Sequence, residues 1–214
     1  TLSDLNVRGK STKIADGALQ VLTEDGLEKT GGVQVKVLDP AHTPENAFDI
    51  EAVFSLSSTY KRKGNNQAAI FDSKYVARPN NDPKNLPRHT GFMYYLQPRG
   101  GDNYRFGAAF GFGKSSAEVT SKDFKLEKGK EYTAKMHFSA SGKVIFYLDG
   151  KEITVATVPA GALAPATYPA VLGDRIGSNY YPFGGSIKKI EIKSAEYTPV
   201  SISPSAMTRK VFER

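Results

Sequence analysis

The sequence of 214 residues contains no cysteine and no tryptophan. Without thiols, disulfides and thiolate metal sites are excluded, so any fold must be held by its core alone. The missing disulfides leave the compartment open, because exported domains of this size do without them. The three histidines, His42, His89 and His137, lie far apart and not at metal-ligand spacing, which argues against zinc. No apolar run approaches the roughly 18 residues of a membrane-spanning helix, and the N-terminus shows no basic-then-apolar signal segment. The first residue is Thr1 and not Met, so a processed chain or a domain cut from a larger protein is expected. Helical periodicity is nearly absent. The glycine-rich stretch Gly107 to Gly113 lies within a strand pattern with no helix after it, which argues against a phosphate-binding loop.

What is present is apolar and aromatic material in short portions. Hydrophobic residues make up 39% and aromatics 11% of the chain, enough for a sizeable core. The net charge of +7 favours anionic partners as well as solubility. Lys and Arg are scattered, the densest run being Tyr60 to Lys63, and this spread argues against nucleic acid. Alternating runs separated by Gly, Pro, Asn and Asp predict strands over 17–22, 33–38, 48–56, 68–72, 91–97 and 104–112. Further strands are predicted over 131–140, 143–149, 151–158, 170–176 and 185–193. About eleven such strands predict an all-β fold of two stacked antiparallel sheets.

Alternation also assigns faces. Tyr132, Ala134, Met136 and Phe138 point to the core, with Thr133, Lys135 and His137 on the other side. Phe106, Ala108, Phe110 and Phe112 share one face, whereas Gly107, Ala109 and Gly111 leave the opposite face nearly bare. A bare strand lets a loop, a second sheet or a ligand approach its backbone. Ser139 to Gly142 and Asp149-Gly150 read as hairpin turns that build an antiparallel meander. Pro79, Pro83 and Pro87 place a long loop over 78–90, and Pro204 with a basic end marks 199–214 as a linker or the start of a following segment.

Three stretches in this order resemble the concanavalin A-like, laminin-G-like jelly-roll modules of bacterial lectins and sialidases. They are Ala47 to Phe54 (AFDIEAVF), then Glu131 to Phe138 with Ser141-Gly142 and Val144 to Lys151 (VIFYLDGK), and then Leu172 to Gly177 (LGDRIG) with Phe183 to Ile192 (FGGSIKKIEI). Family members often carry a tryptophan where this chain has Glu131 and Tyr132. The resemblance implies a two-sheet antiparallel jelly-roll sandwich over 14–198, after an N-terminal extension over 1–13. It further implies a non-catalytic carbohydrate-binding module linked to an exported glycosidase or surface protein, extracellular or on the cell surface. The basic balance favours an anionic glycan such as a sialylated chain. Family members often hold a structural Ca²⁺ through loop oxygens, and Asp16, Asp39, Asn46 and Asp72 are ligands by type.

Glycans are gripped by aromatic rings and planar hydrogen-bonding groups, with Arg for carboxylate or sulfate. Two groups supply these. Tyr94, Tyr95, Gln97, Arg99, Tyr104 and Arg105 sit on two neighbouring strands, and Asp174, Arg175, Asn179, Tyr180 and Tyr181 sit in the loop before the closing strand. Two other readings stay open. A polysaccharide lyase would use Tyr95, His89 or His137 as base with Arg99 or Arg105 on a uronate, and a glycoside hydrolase would need more carboxylates than Asp49-Ile50-Glu51 supplies. A protein-binding adhesive module is the third.

Overall fold

A computed structural model of the chain describes residues 5–10, 12–21, 31–58, 67–74, 89–175 and 182–203. Its strands run in chain order as β1 (Leu5–Val7), β2 (Thr12–Ala15), β3 (Ala18–Val21), β4 (Val33–Val35), β5 (Ala47–Leu56) and β6 (Ala68–Asp72). Next come β7 (Phe92–Gly100), β8 (Asn103–Gly111), β9 (Ser116–Thr120), β10 (Phe124–Lys125) and β11 (Glu131–Ser139). The last are β12 (Lys143–Leu148), β13 (Lys151–Thr157), β14 (Val171–Leu172), β15 (Gly185–Ser194) and β16 (Val200–Ile202). A 3-10 turn, Pro40–His42, is capped by Asp39, whose carboxylate accepts the Ala41 amide at 2.9 Å.

The strands form two antiparallel sheets, as the jelly-roll reading requires. The first has the order β1-β4-β14-β6-β7-β8, with β9 and β10 sharing the far side of β8. The second has the order β13-β12-β11-β5-β15, with β3 and β16 sharing the far side of β15 and β2 beyond β3. The core lies between them, fed by every second residue. Phe48, Ile50, Ala52 and Phe54 of β5 and Ala134, Met136 and Phe138 of β11 meet Phe92, Phe106 and Phe110 of the facing sheet. Ring pairs join the layers directly, with centroids 4.6 Å apart for Phe48 and Phe92 and 4.9 Å for Phe110 and Phe138. The hairpin at Asp149 and Gly150 has positive φ at both residues, 49° and 78°, which matches the twist of the flanking strands.

The expected strands are present, and five more join them. β1, β2, β9, β10 and β16 are short, with few buried residues, so they carry little apolar alternation to announce them. β1 and β16 lie outside the 14–198 span: Leu5 to Val7 pairs with β4, and Val200 to Ile202 pairs with Ile190 to Ile192 of β15. The expected strand over 170–176 is only Val171–Leu172, because the chain turns at Gly173 and sends Asp174 and Arg175 into ion pairs. Of the long loop over 78–90, His89 and Thr90 are described and the rest lies outside the described residues. Among the described residues no helix is long and apolar enough to cross a membrane.

Candidate functional site

The outward face of the first sheet is built by β6, β7, β8 and β9. Alternation that sends Phe92, Tyr94 and Leu96 into the core turns Met93, Tyr95 and Gln97 outward, and sends Arg105, Gly107, Ala109 and Gly111 outward from β8. Ala69, Met93, Tyr95 and Ala109 form a second small buried cluster on this side. The bare strip of β8 is therefore filled from within. A Cβ on Gly107 would collide with the Tyr95 ring, and one on Gly111 would meet the backbone of His89 and Thr90.

Polar groups surround the Tyr95 ring. Its hydroxyl donates to Glu118 Oε1 of β9, and Gln67 Nε2 donates to the same oxygen at 3.0 Å. Burial, reinforced by the hydrogen bond to Glu118, pushes the Tyr95 phenol well above its ordinary range. Two cross-strand pairs along, on the same face, Arg105 Nε donates to Gln97 Oε1 at 2.6 Å. The guanidinium and the Glu118 carboxylate reach solvent while Tyr95 and Gln97 are buried, so the face is a shallow polar patch over an apolar floor. It offers donors and acceptors in a plane beside a ring, which is hydrogen-bonding chemistry suited to a polyhydroxylated ligand.

Of the first predicted group, the structure brings Tyr95, Gln97 and Arg105 together. Arg99 lies further along β7, 3.8 Å from Asp123, with both side chains partly exposed. Tyr94 and Tyr104 are corrections: both are buried in the main core, since they share the parity of Leu96 and Phe106. Glu118 and Gln67 were not anticipated. For Glu118 the sequence signal is the weak alternation of Ser116, Glu118 and Thr120, whose side is set by the pairing of β9 with β8.

The second predicted group does structural work. Asp174 is fully buried, accepts the Gly31 amide at 2.8 Å and stands 3.5 Å from Arg8 Nη1. Arg175 Nε lies 3.4 Å from Asp72 Oδ2, while Asp72 Oδ1 accepts the Lys74 amide at 2.9 Å. These contacts tie the chain after β14 to β1 and β6. Asn179, Tyr180 and Tyr181 lie outside the described residues.

The carboxylates expected to matter elsewhere are engaged separately. Asp49 Oδ2 meets Lys135 at 2.7 Å and Asp49 Oδ1 meets His137 at 2.8 Å, on the outward face of the second sheet. Burial pushes the Asp49 carboxyl up, but the hydrogen bonds and charges of Lys135 and His137 outweigh it and hold it below its ordinary value. Glu51 sits between Lys135 and Glu191 in register. Among the calcium candidates, Asp39 caps the 3-10 turn, Asp72 faces Arg175, Asp16 accepts from Gln20 and Asn46 donates to Glu196. Among the described residues no three His, Cys, Asp or Glu side chains converge on a metal position.

No family model matches the chain, and no curated protein matches it in sequence. Solved structures do match in fold. The mouse laminin α1 chain, domains LG4-5, superposes with a TM-score of 0.52 at 17% identity over 86% of this chain. The chain spans 44% of that structure. The CBM40 module of the Ruminococcus gnavus IT-sialidase superposes at 0.53 with 14% identity, covering 86% of this chain and 90% of the module. Domain 4 of AbnA, an extracellular GH43 arabinanase from Geobacillus stearothermophilus solved with arabinotriose, gives 0.52 at 17% identity, covering 96% and 86%. The chain has the concanavalin A-like, laminin-G-like jelly-roll fold.

Proposed function

We propose that this domain is a non-catalytic carbohydrate-binding module that holds an anionic glycan on the outward face of its first sheet. The observation that carries the reading is the gathering of Gln67, Tyr95, Gln97, Arg105 and Glu118 on that one face. The fold neighbours support it: the sialidase module is seen bound to α2,3- and α2,6-sialyllactose, and VIP36 with Ca²⁺ and mannose. The net charge of +7 supports a sialylated or otherwise acidic ligand. The extracellular arabinanase and the exoplasmic VIP36 domain are the settings that support an exported protein, with this module attached to a glycosidase or surface protein.

The lyase reading is weaker on physical grounds. Tyr95 is buried, donates its proton to Glu118 and has its pKa pushed upward, so its phenol is poorly placed to act as base. On the other sheet Asp49 is held by Lys135 and His137, away from the polar patch.

A glycan array followed by titration calorimetry tests the reading. The wild-type chain is expected to retain acidic glycans without turnover. Arg105→Ala is expected to weaken binding about tenfold, the cost of one charge-assisted hydrogen bond, with little change in thermal unfolding. An array on which nothing is retained, or release of unsaturated sugar ends from a uronate polymer, would refute it.

A further inference from the structure

The polar patch on the first sheet grades into a cationic end. Alternation along β8 turns Asn103 and Arg105 outward, because Tyr104 and Phe106 are core residues. β10 pairs Phe124 with Tyr104 and Lys125 with Asn103, so Lys125 shares that face one strand over, and it is exposed. Arg99 is exposed at the end of β7, its Nε 3.8 Å from Asp123. Among the described residues no carboxylate comes within ion-pair distance of Arg105 or Lys125. Arg105 donates through Nε to Gln97 and keeps both terminal nitrogens, the prongs that take a carboxylate or sulfate in two parallel hydrogen bonds. Three cations around one carboxylate, Asp123, leave this end positive, with Asp102 at the hairpin tip beyond them. Glu118, which receives Tyr95 and Gln67, makes the other end an acceptor for sugar hydroxyls.

The spacing decides what such a face can hold. Asn103 and Arg105 are two residues apart, so the Lys125 position lies about 7 Å further along the strand than Arg105. From Ala109, the partner of Glu118, to Asn103, the partner of Lys125, the strand advances six residues, about 20 Å. That is longer than a single sugar ring. The far end is also open, since side chains placed at Gly100 or Gly101 would meet nothing within 4 Å. A site for one terminal sugar closes around it, whereas here the row of polar groups runs on to an unobstructed turn.

We infer that this face is a track for an extended acidic polysaccharide, in which acid groups on separate sugar units meet Arg105 and the Arg99–Lys125 end while neutral hydroxyls lie toward Glu118 and Tyr95. The inference rests on the glycan-binding reading and adds to it the class of ligand and its direction, with the chain leaving over the Gly100-Gly101 turn. Arg99 and Lys125 are then the residues that distinguish a long ligand from a short one.

The test is calorimetric titration of the full chain with two series of probes: galacturonate oligomers, acidic on every ring, and hyaluronan oligomers, acidic on every second ring. In at least one series, affinity is expected to rise tenfold or more between the shortest member and fragments of about 20 Å, then to level off. It is also expected to fall as salt is raised, because the cations are exposed. Arg99→Ala and Lys125→Ala are each expected to weaken the long fragment several-fold and leave the shortest one unchanged, whereas Arg105→Ala weakens both. Lys143→Met on the other sheet is expected to change neither, and thermal unfolding checks that every variant is folded. Equal affinity for short and long fragments in both series, or a long fragment bound by Arg99→Ala and Lys125→Ala as by the wild type, overturns the track. If an array retains short acidic glycans and length adds nothing, the track falls and the glycan-binding reading stands. If long fragments bind through Arg99 and Lys125 but are cleaved, the non-catalytic reading falls and the track stands.

Discussion

Gly107 shows how one missing side chain sets the character of a face. The Tyr95 ring occupies the space where a Cβ would stand, and the ring in turn places its hydroxyl on Glu118. Gly107→Ala is therefore expected to overpack this site and cost about 1–3 kcal/mol, read as a lower urea midpoint. Adding Tyr95→Leu should recover part of that loss; if the two changes are simply additive, the ring is not what the alanine meets. Arg175 makes the opposite case, since a residue suited to ligand capture is here 12% exposed against a 1% exposed Asp72 carboxylate. Arg175→Ala is expected to destabilise by about 2–4 kcal/mol because it strips a charged partner from a buried carboxylate. A variant with unchanged thermal unfolding would return Arg175 to the list of binding residues.

At the scale of elements, what could be read in advance depended on how many faces of a strand were buried. β5 and β11 alternate strictly between core and outward residues, so their extent and facing were legible. β7 is buried on both faces over Phe92 to Gln97, so its extent was legible but its two tyrosines looked alike. Parity would have separated them: Tyr104 shares its side with Phe106, and its pairing with Pro98 puts Leu96 and Tyr94 on that side too. Glu118 was illegible for a different reason, because its place beside Tyr95 comes from β9 folding back on β8 and not from local pattern. Asp49 was legible as an outward carboxylate, and pairing with β11 supplies its partners Lys135 and His137. Since these hold its folded pKa below the unfolded value, the unfolded chain binds the extra proton first as acid is added. The contribution of Asp49 is thus complete above the ordinary carboxylate range and lost as pH falls through the lowered value. In a pH series of urea midpoints, Asp49→Asn is expected to lose under about 1 kcal/mol at neutral pH and nothing at the acid end. An equal difference at both ends would mean that the pairs contribute nothing.

For the molecule as a whole, β1 and β16 extend the two sheets beyond the 14–198 span. Near-terminal strands from both ends flank one apolar crevice between the sheets, lined by Leu5 of β1, Ile14 of β2, Leu19 of β3, Val33 of β4, Leu172 of β14 and Ile202 of β16. Alongside its local hairpins the fold depends on pairings distant in sequence, such as β4 with β14 and β3 with β15, which form only when the chain closes on itself. β16 adds its three residues to β15 beside Ile190, and Ile202 packs against the core from there. A segment that behaved only as a linker would be dispensable for stability. Ending the chain at Pro199 is instead expected to lower unfolding free energy by about 2 kcal/mol, from one partly buried isoleucine and the lost ladder hydrogen bonds. The expected signature is a lower denaturant midpoint in a single transition, together with faster amide exchange at Ile190 to Ile192. An unchanged midpoint with unchanged exchange would assign Val200 to Ile202 to the linker, and the sandwich would then end at β15.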